Sequence, residues 1–331
     1  SFSEMKNRAS LVITVLLIIL FILTVLSVAT GSVNYSFSSV LKALFSPSEV
    51  PSSQAYIIRN LRIPRTLCGI FAGAALAFCG LVFQTVFRNP MADSYILGIS
   101  SGASASVGLA MLSGVMVLLP YSVPLWAFAG SFLATLFLFA TGRKNPSLLL
   151  LTGISLNFFL SAVTTLTIYL GKHQLDSILF WTMGSISSAT WLRAAVLCLI
   201  SLTAFFFGMK VNTSMDILLT DDSTAISSGL NVKRFRMVLL CVSSAITAIV
   251  VAFCGVIGFV GLMSPHFARI LCAPRHKKLI PSSMLLGADI LLFADLISRN
   301  IVSPSELPIG LVTSLLGAPV FFILVRRRKA K

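Results

Sequence analysis

The chain has 331 residues, 56% of them hydrophobic and only 11% charged, with a formal net charge of +15. Its mean hydropathy of +0.96 is more than a soluble core can bury, which excludes a soluble globular enzyme and points to a polytopic helical membrane protein. The basic excess does not indicate nucleic acid, because few aromatic residues interleave with the lysines and arginines and these sit in short loops between apolar runs.

In chain order, Lys6 and Arg8 precede the apolar run 11–29 much as in a signal peptide. The length of the run and the spans behind it make an uncleaved first helix the expectation. Ten spans fit the pattern, at 10–29, 66–87, 95–118, 125–141, 148–170, 191–209, 237–255, 258–272, 281–298 and 309–325. The stretch 237–272 as one helix would measure about 54 Å, too long for a hydrocarbon core of about 30 Å. Gly255, Gly258 and Gly261 offer a break, with Pro265 in the second half.

Lysine and arginine set the orientation. With both termini in the cytoplasm, 18 basic residues fall inside and 7 outside. Arg59, Arg62 and Arg65 then lie on the outer face against the rule. Leu61-Arg62-Ile63-Pro64-Arg65 opens the second span, and Pro64 suits its first turn. Arginines there serve either as anchors at a helix end or in bidentate capture of carboxylates.

The polar segment 210–236 falls in the cytoplasm between two spans, with its centre at 215–236. Ile217, Leu218, Ala225, Ile226 and Leu230 suit short amphipathic helices, Asp221 or Asp222 can cap one, and Gly229 can end it. It reads as a solvated loop or as a docking platform for a cytoplasmic partner. Ala77-Phe78-Cys79-Gly80 recurs as Ala252-Phe253-Cys254-Gly255, and a proline follows ten residues later each time, at Pro90 and Pro265. Five spans per period would turn the second copy over, an inverted repeat of helices 2–5 and 7–10 within one domain, 1–331.

Among the few acids inside the spans, Asp295 stands four residues before Arg299, a favourable pairing direction. Asp289, near mid-helix, is either a satisfied core group or a pathway residue. The cysteines lie mostly in apolar runs and read as small core residues, and the three histidines have no metal-ligand spacing. Neither a phosphate loop nor an HExxH pattern is present, and neither a catalytic site nor a cofactor or metal is expected.

From Arg62 to Ala103 the sequence resembles the signature of the FecCD/BtuC-type permeases. The matching pieces are RIPRTL from Arg62, GAALA from Gly73, Gly80, Gln84, RNPMA from Arg88, Leu97-Gly98 and Ser101-Gly102-Ala103. The likeness runs on through LTGISLN from Leu151, GVIGFVGLMSPHFAR from Gly255, HKKLIP from His276, Gly287-Ala288, Ala294-Asp295, Arg299, ELPIG from Glu306 and Gly317-Ala318-Pro319. It covers nearly the whole chain from Ile58.

The resemblance implies the membrane subunit of a type II ABC importer for iron-siderophores, haem or cobalamin, with ten transmembrane helices. It implies a second permease, identical or homologous, two ATPase subunits that bind ATP and Mg, and an extracytoplasmic binding protein. The site would be a bacterial cytoplasmic membrane. By that resemblance Arg62, Arg65 and Arg299 meet glutamates of the binding protein. Asp221, Asp222, Ala225, Gly229 and Leu230 fall in the ATPase-coupling segment. Gates are expected at the inner ends, near Asn89 and Pro90 and near Asn145, Pro146 and Ser147. In relatives the coupling segment often reads G-E-E-x-A-x-x-L-G, whereas here an acid replaces the glycine, Ser223 a second acid and Ser228 the leucine. A matched ATPase groove is therefore expected. The expected cargo is an iron-siderophore. The rival reading is an ion-coupled transporter using Asp289, and a non-transporting scaffold has no feature in its favour.

Overall fold

The computed structural model describes residues 2–31, 33–95, 97–115, 122–142, 146–171, 179, 181–272, 275–302 and 305–328. Described side chains exclude 2–8, 142, 146–147, 321 and 323–328. The described residues form helices and connecting turns: α1 (Phe2–Ala29), α2 (Phe37–Phe45), α3 (Ser52–Tyr56), α4 (Ile63–Val86), α5 (Ile99–Leu112), α6 (Val123–Gly142), α7 (Pro146–Leu170), α8 (Trp191–Leu218), α9 (Asp222–Ser227), α10 (Val232–Cys254), α11 (Val260–Leu271), α12 (His276–Asn300) and α13 (Ile309–Arg328). Seven described helical stretches are long and apolar enough to cross a membrane, and two shorter apolar ones accompany them. α11 is broken from α10 as expected and has only 12 residues, so the described helices match the ten expected spans approximately. The chain is a multi-pass membrane protein.

α4 is the central helix. It contacts α8, α10, α11 and α12, and nearly every side chain from Ala72 to Val86 is buried. Glycine lets its neighbours approach. A Cβ on Gly73 would lie 2.2 Å from Gly287 O of α12, and one on Gly80 would lie 1.8 Å from Gly261 O of α11. The hydrophobic effect does not drive helices together in lipid, so close backbone packing at such small residues takes over.

The expected repeat is present in the packing. α4 against α12 is mirrored by α10 against α6, and α5 against α6 is mirrored by α11 against α12. Each half has a long helix, a break and a short one: α4 and α5 have 24 and 14 residues, α10 and α11 have 23 and 12. The recurring tetrapeptide occupies unlike stations, however. Gly80 lies inside α4, where it admits α11, while Gly255 ends α10 with φ +67.

Several boundaries move from their expected places. Within the span expected at 95–118 the described helix α5 begins only at Ile99 and ends at Leu112, and the residues ahead of it pack Asp93 against Gly261. α8 runs nine residues past its expected end at 209, to Leu218. α10 begins five residues before 237, at Val232, so it includes Lys233, Arg234 and Arg236. Thus much of 210–236 is helix, and the joint between α8 and α10 is only 219–231, with α9 inside it.

Candidate functional site

At the end of the bundle marked by Arg88, Lys233 and Arg234, α9 hangs between α8 and α10. Asp221 is its N-cap, accepting from Thr224 N–H at 3.1 Å and Thr224 Oγ1 at 2.7 Å, and also from the Ser223 hydroxyl. Ala225 is the buried anchor and Leu230 packs at the edge of the core. Gly229 closes the helix at φ +83, its N–H donating to Ile226 O at 2.9 Å. Ile226 and Leu219 face outward, 63% and 43% exposed, so the turn presents an apolar tip framed by charge.

Asp222 fastens that turn to two other elements. Arg236 of α10 donates to Oδ1 at 2.8 Å and to Oδ2 at 3.1 Å, and Arg88 beyond α4 donates to Oδ1 at 2.6 Å. Arg236 first, opposed by desolvation and joined by Arg88, holds the Asp222 carboxyl below its ordinary range. The Ser223 and Thr224 hydroxyls do the same for Asp221. A depressed folded-state value stabilises the fold above the ordinary carboxylate range and loses its effect only as pH falls through the folded value. These contacts therefore stay charged across neutral pH.

Behind this layer, His276 is fully buried at the start of α12. Its backbone N–H donates to Asp216 Oδ1 at 3.0 Å, Nδ1 lies 2.6 Å from the same oxygen, and Nε2 lies 2.9 Å from Thr85 Oγ1. α4, α8 and α12 are thus tied at one point. Sequence reading missed this knot and the Asp222 clamp. The available signal was a histidine opening a helix beside an acid at the end of another.

The expected gate residues meet this layer in part. Asn89 and Pro90 directly follow Arg88, and Asn89 Oδ1 accepts from Met91 N–H at 2.9 Å. Asn145 lies outside the described residues, and Pro146 and Ser147 are described as backbone only. Farther into the bundle, the broken helix pair borders a cavity of about 350 Å³ lined by Asp93, Tyr95, Thr182, Met183, Phe259 and Ser314, among others. Phe259 holds φ +66, a strained conformation for an aromatic residue, just before the uncapped positive end of α11.

At the opposite end, the three arginines expected as docking charges have partners within the chain. Arg62 is 6% exposed. Its Nη1 donates to Val28 O and Ala29 O, each at 2.8 Å, Nη2 donates to Val33 O, and the guanidinium stacks 4.7 Å from the Tyr35 ring centroid. Arg299 donates to Ser27 O at 3.2 Å and to Ser27 Oγ at 2.9 Å. Its Nε stands 3.0 Å from Asp295 Oδ2, the expected i,i+4 pair. Arg65 bridges Asp295 Oδ1 at 2.9 Å and Glu306 at 2.9 and 3.0 Å. Burial against α1 takes Arg62 and Arg299 off the accessible surface in this conformation. Of these arginines, Arg65 alone has a charged partner open to solvent, Glu306, whose side chain is 41% exposed. Asp289 differs from all of these: both its oxygens are buried with no hydrogen-bond partner among the described residues.

The comparisons match this arrangement. The model of the FecCD transport family covers residues 17–327. The hemin transport system permease protein HmuU of Yersinia pestis is 36% identical over 98% of both chains. The Fe(3+)-citrate import system permease protein YfmD of Bacillus subtilis is 33% identical over 98% of this chain and 97% of its own. A solved inward-facing conformation of a metal-chelate type ABC transporter superposes with a TM-score of 0.83 at 30% identity, covering 95% of this chain and 98% of that one. Sequence likeness and fold agree over almost the whole length, and the chain belongs to the FecCD transport family.

Proposed function

We propose that this chain, paired with a second permease, forms the path by which an iron-siderophore crosses the cytoplasmic membrane. That the chain is a permease of an ABC importer of the metal-chelate, haem and cobalamin class follows from its family, and it is no catalyst; a separate ATPase subunit hydrolyses ATP. The observation that carries the reading is α9. A six-residue helix with one buried side chain and an outward Ile226 is built for contact with something outside the bilayer. Two ATPase subunits take that face, with the basic residues and both termini in the cytoplasm. A binding protein takes the other face, where an incoming carboxylate competes with Glu306 for Arg65.

The cargo assignment rests on relatives whose names include Fe(3+)-citrate and hemin permeases. The test is uptake by proteoliposomes holding the permease, its ATPase and the cognate binding protein, offered a ferric siderophore, ferric citrate, haemin or cobalamin with ATP inside. Accumulation of the ferric siderophore alone supports the assignment. Accumulation of only haemin or only cobalamin overturns it while leaving the importer reading intact.

A further inference from the structure

Arg88 stands at a station that ordinarily goes to glycine. α4 closes in a Schellman turn: Asn89 N–H donates to Gln84 O at 3.1 Å and Arg88 N–H to Thr85 O at 3.2 Å. The residue between takes the left-handed conformation, and Arg88 does so with φ +47. Any side chain with a Cβ is strained there, and glycine is not.

The guanidinium accounts for an arginine in this place. Nε and Nη2 donate to Leu218 O at 3.0 and 2.9 Å, and Nη2 reaches Asp222 Oδ1. Leu218 is the last residue of α8 and Asp222 the first of α9. One side chain thus grips both sides of the joint from which α9 hangs. The backbone of that same residue opens the segment 89–95, which places Asp93 against Gly261 and beside the cavity. Stability does not explain the contact, because the Arg88 and Asp222 side chains are 34% and 50% exposed and pairs so open to water contribute little. What the contact supplies is a fixed geometry between α9 and the start of segment 89–95.

We propose that Arg88 is the positioning residue through which a displacement of α9 reaches the segment from Asn89 to Tyr95. This rests on the permease reading above and adds the route from its docking turn to its gate. When the turn moves, Asp222 and the end of α8 draw the guanidinium with them, and the Schellman turn pivots at Arg88. Arg236 holds Asp222 from the α10 side, so the same motion is shared with the second half of the bundle.

The experiment uses the full permease–ATPase complex in lipid nanodiscs and needs no cargo. Met91, 44% exposed three residues past Arg88, is replaced as Met91→Cys. The rate of labelling at that position by a charged maleimide is read by peptide mass spectrometry, without nucleotide and with vanadate-trapped nucleotide. In the Arg88 complex the two rates should differ at least about fivefold, the lower end of coupling between distinct sites. Arg88→Gly suits the left-handed backbone, so its thermal midpoint should equal or exceed the parent's, yet the two rates should converge. Asp222→Asn, which keeps the shape and weakens the pair, should also bring them together. Convergence without loss of thermal stability is a result that a merely structural residue would not give. If both variants keep the parent's ratio, the proposal is overturned. If labelling in the Arg88 parent ignores nucleotide altogether, the ATP-driven reading fails first and the proposal with it.

Discussion

At the scale of residues, two arginines are committed to one helix end. α1 has no basic residue in its last turn, and its final carbonyls carry the negative end of the helix dipole. Arg62 and Arg299 reach in from two other elements to meet the carbonyls of Ser27, Val28 and Ala29. Removing one leaves buried acceptors without a charged donor, so Arg62→Ala should cost about 2–4 kcal/mol in thermal unfolding. Arg65→Ala should cost about half as much, because Asp295 keeps Arg299 as a partner and the Glu306 contact is open to water. Equal losses for the two, measured in the same detergent, would contradict this division. The sequence marks these arginines as exceptions to the charge rule, but it reads them as facing outward. Their inward turn was hidden because the partners are backbone carbonyls, which carry no signature, and acids as much as 241 positions away. The Asp295–Arg299 pair was legible because it lies within one helical turn.

At the scale of elements, what could be read in the sequence was local chemistry. Asp221 caps α9, Gly229 ends it, and the break after Cys254 falls at Gly255, as the residue types suggest. The extents of α8 and α10 were not legible. Polar residues inside a helix look like loop until their partners are known, and Asp216 gains His276 only when α12 packs beside α8. Segment 89–95 escaped for the same reason, since nothing local says that Asp93 will pack against a glycine of α11. Gly229 gives the clearest test of an element. Proline there removes the N–H that bonds Ile226 O and requires a φ near −65°, the opposite sign to the observed +83. Gly229→Pro should unravel the end of α9 and weaken ATPase association at least about tenfold, corresponding to roughly 1.4 kcal/mol. The bundle itself, whose core lies elsewhere, should melt within a few degrees of the parent. Normal ATPase association in this variant would reduce α9 to a connecting loop.

At the scale of the whole molecule, the bundle is one packing scheme used twice, each copy carrying a broken pair of helices. Such a frame can rock about its breaks under either of two power sources, ATP in a partner or an ion gradient through a buried acid. Asp289 is the only residue that sequence reading nominated for the second source. In the structure its carboxylate has neither a basic partner nor a hydrogen-bond donor among the described residues. An ion-coupling acid alternates between a bound ion and a relay partner, and α12 brings none to it. The platform at α9, by contrast, is tied by Arg88 and Arg236 to both halves. ATP is therefore expected to be the sole driver. Asp289→Asn should leave ATP-driven uptake by the complete complex within about twofold of the parent. It should also raise the thermal midpoint, because an isolated buried carboxylate costs more than an amide in the same place. The permease alone in proteoliposomes should accumulate nothing under a proton or sodium gradient. Gradient-driven uptake without the ATPase, abolished by Asp289→Asn, would make Asp289 the engine and α9 an idle turn.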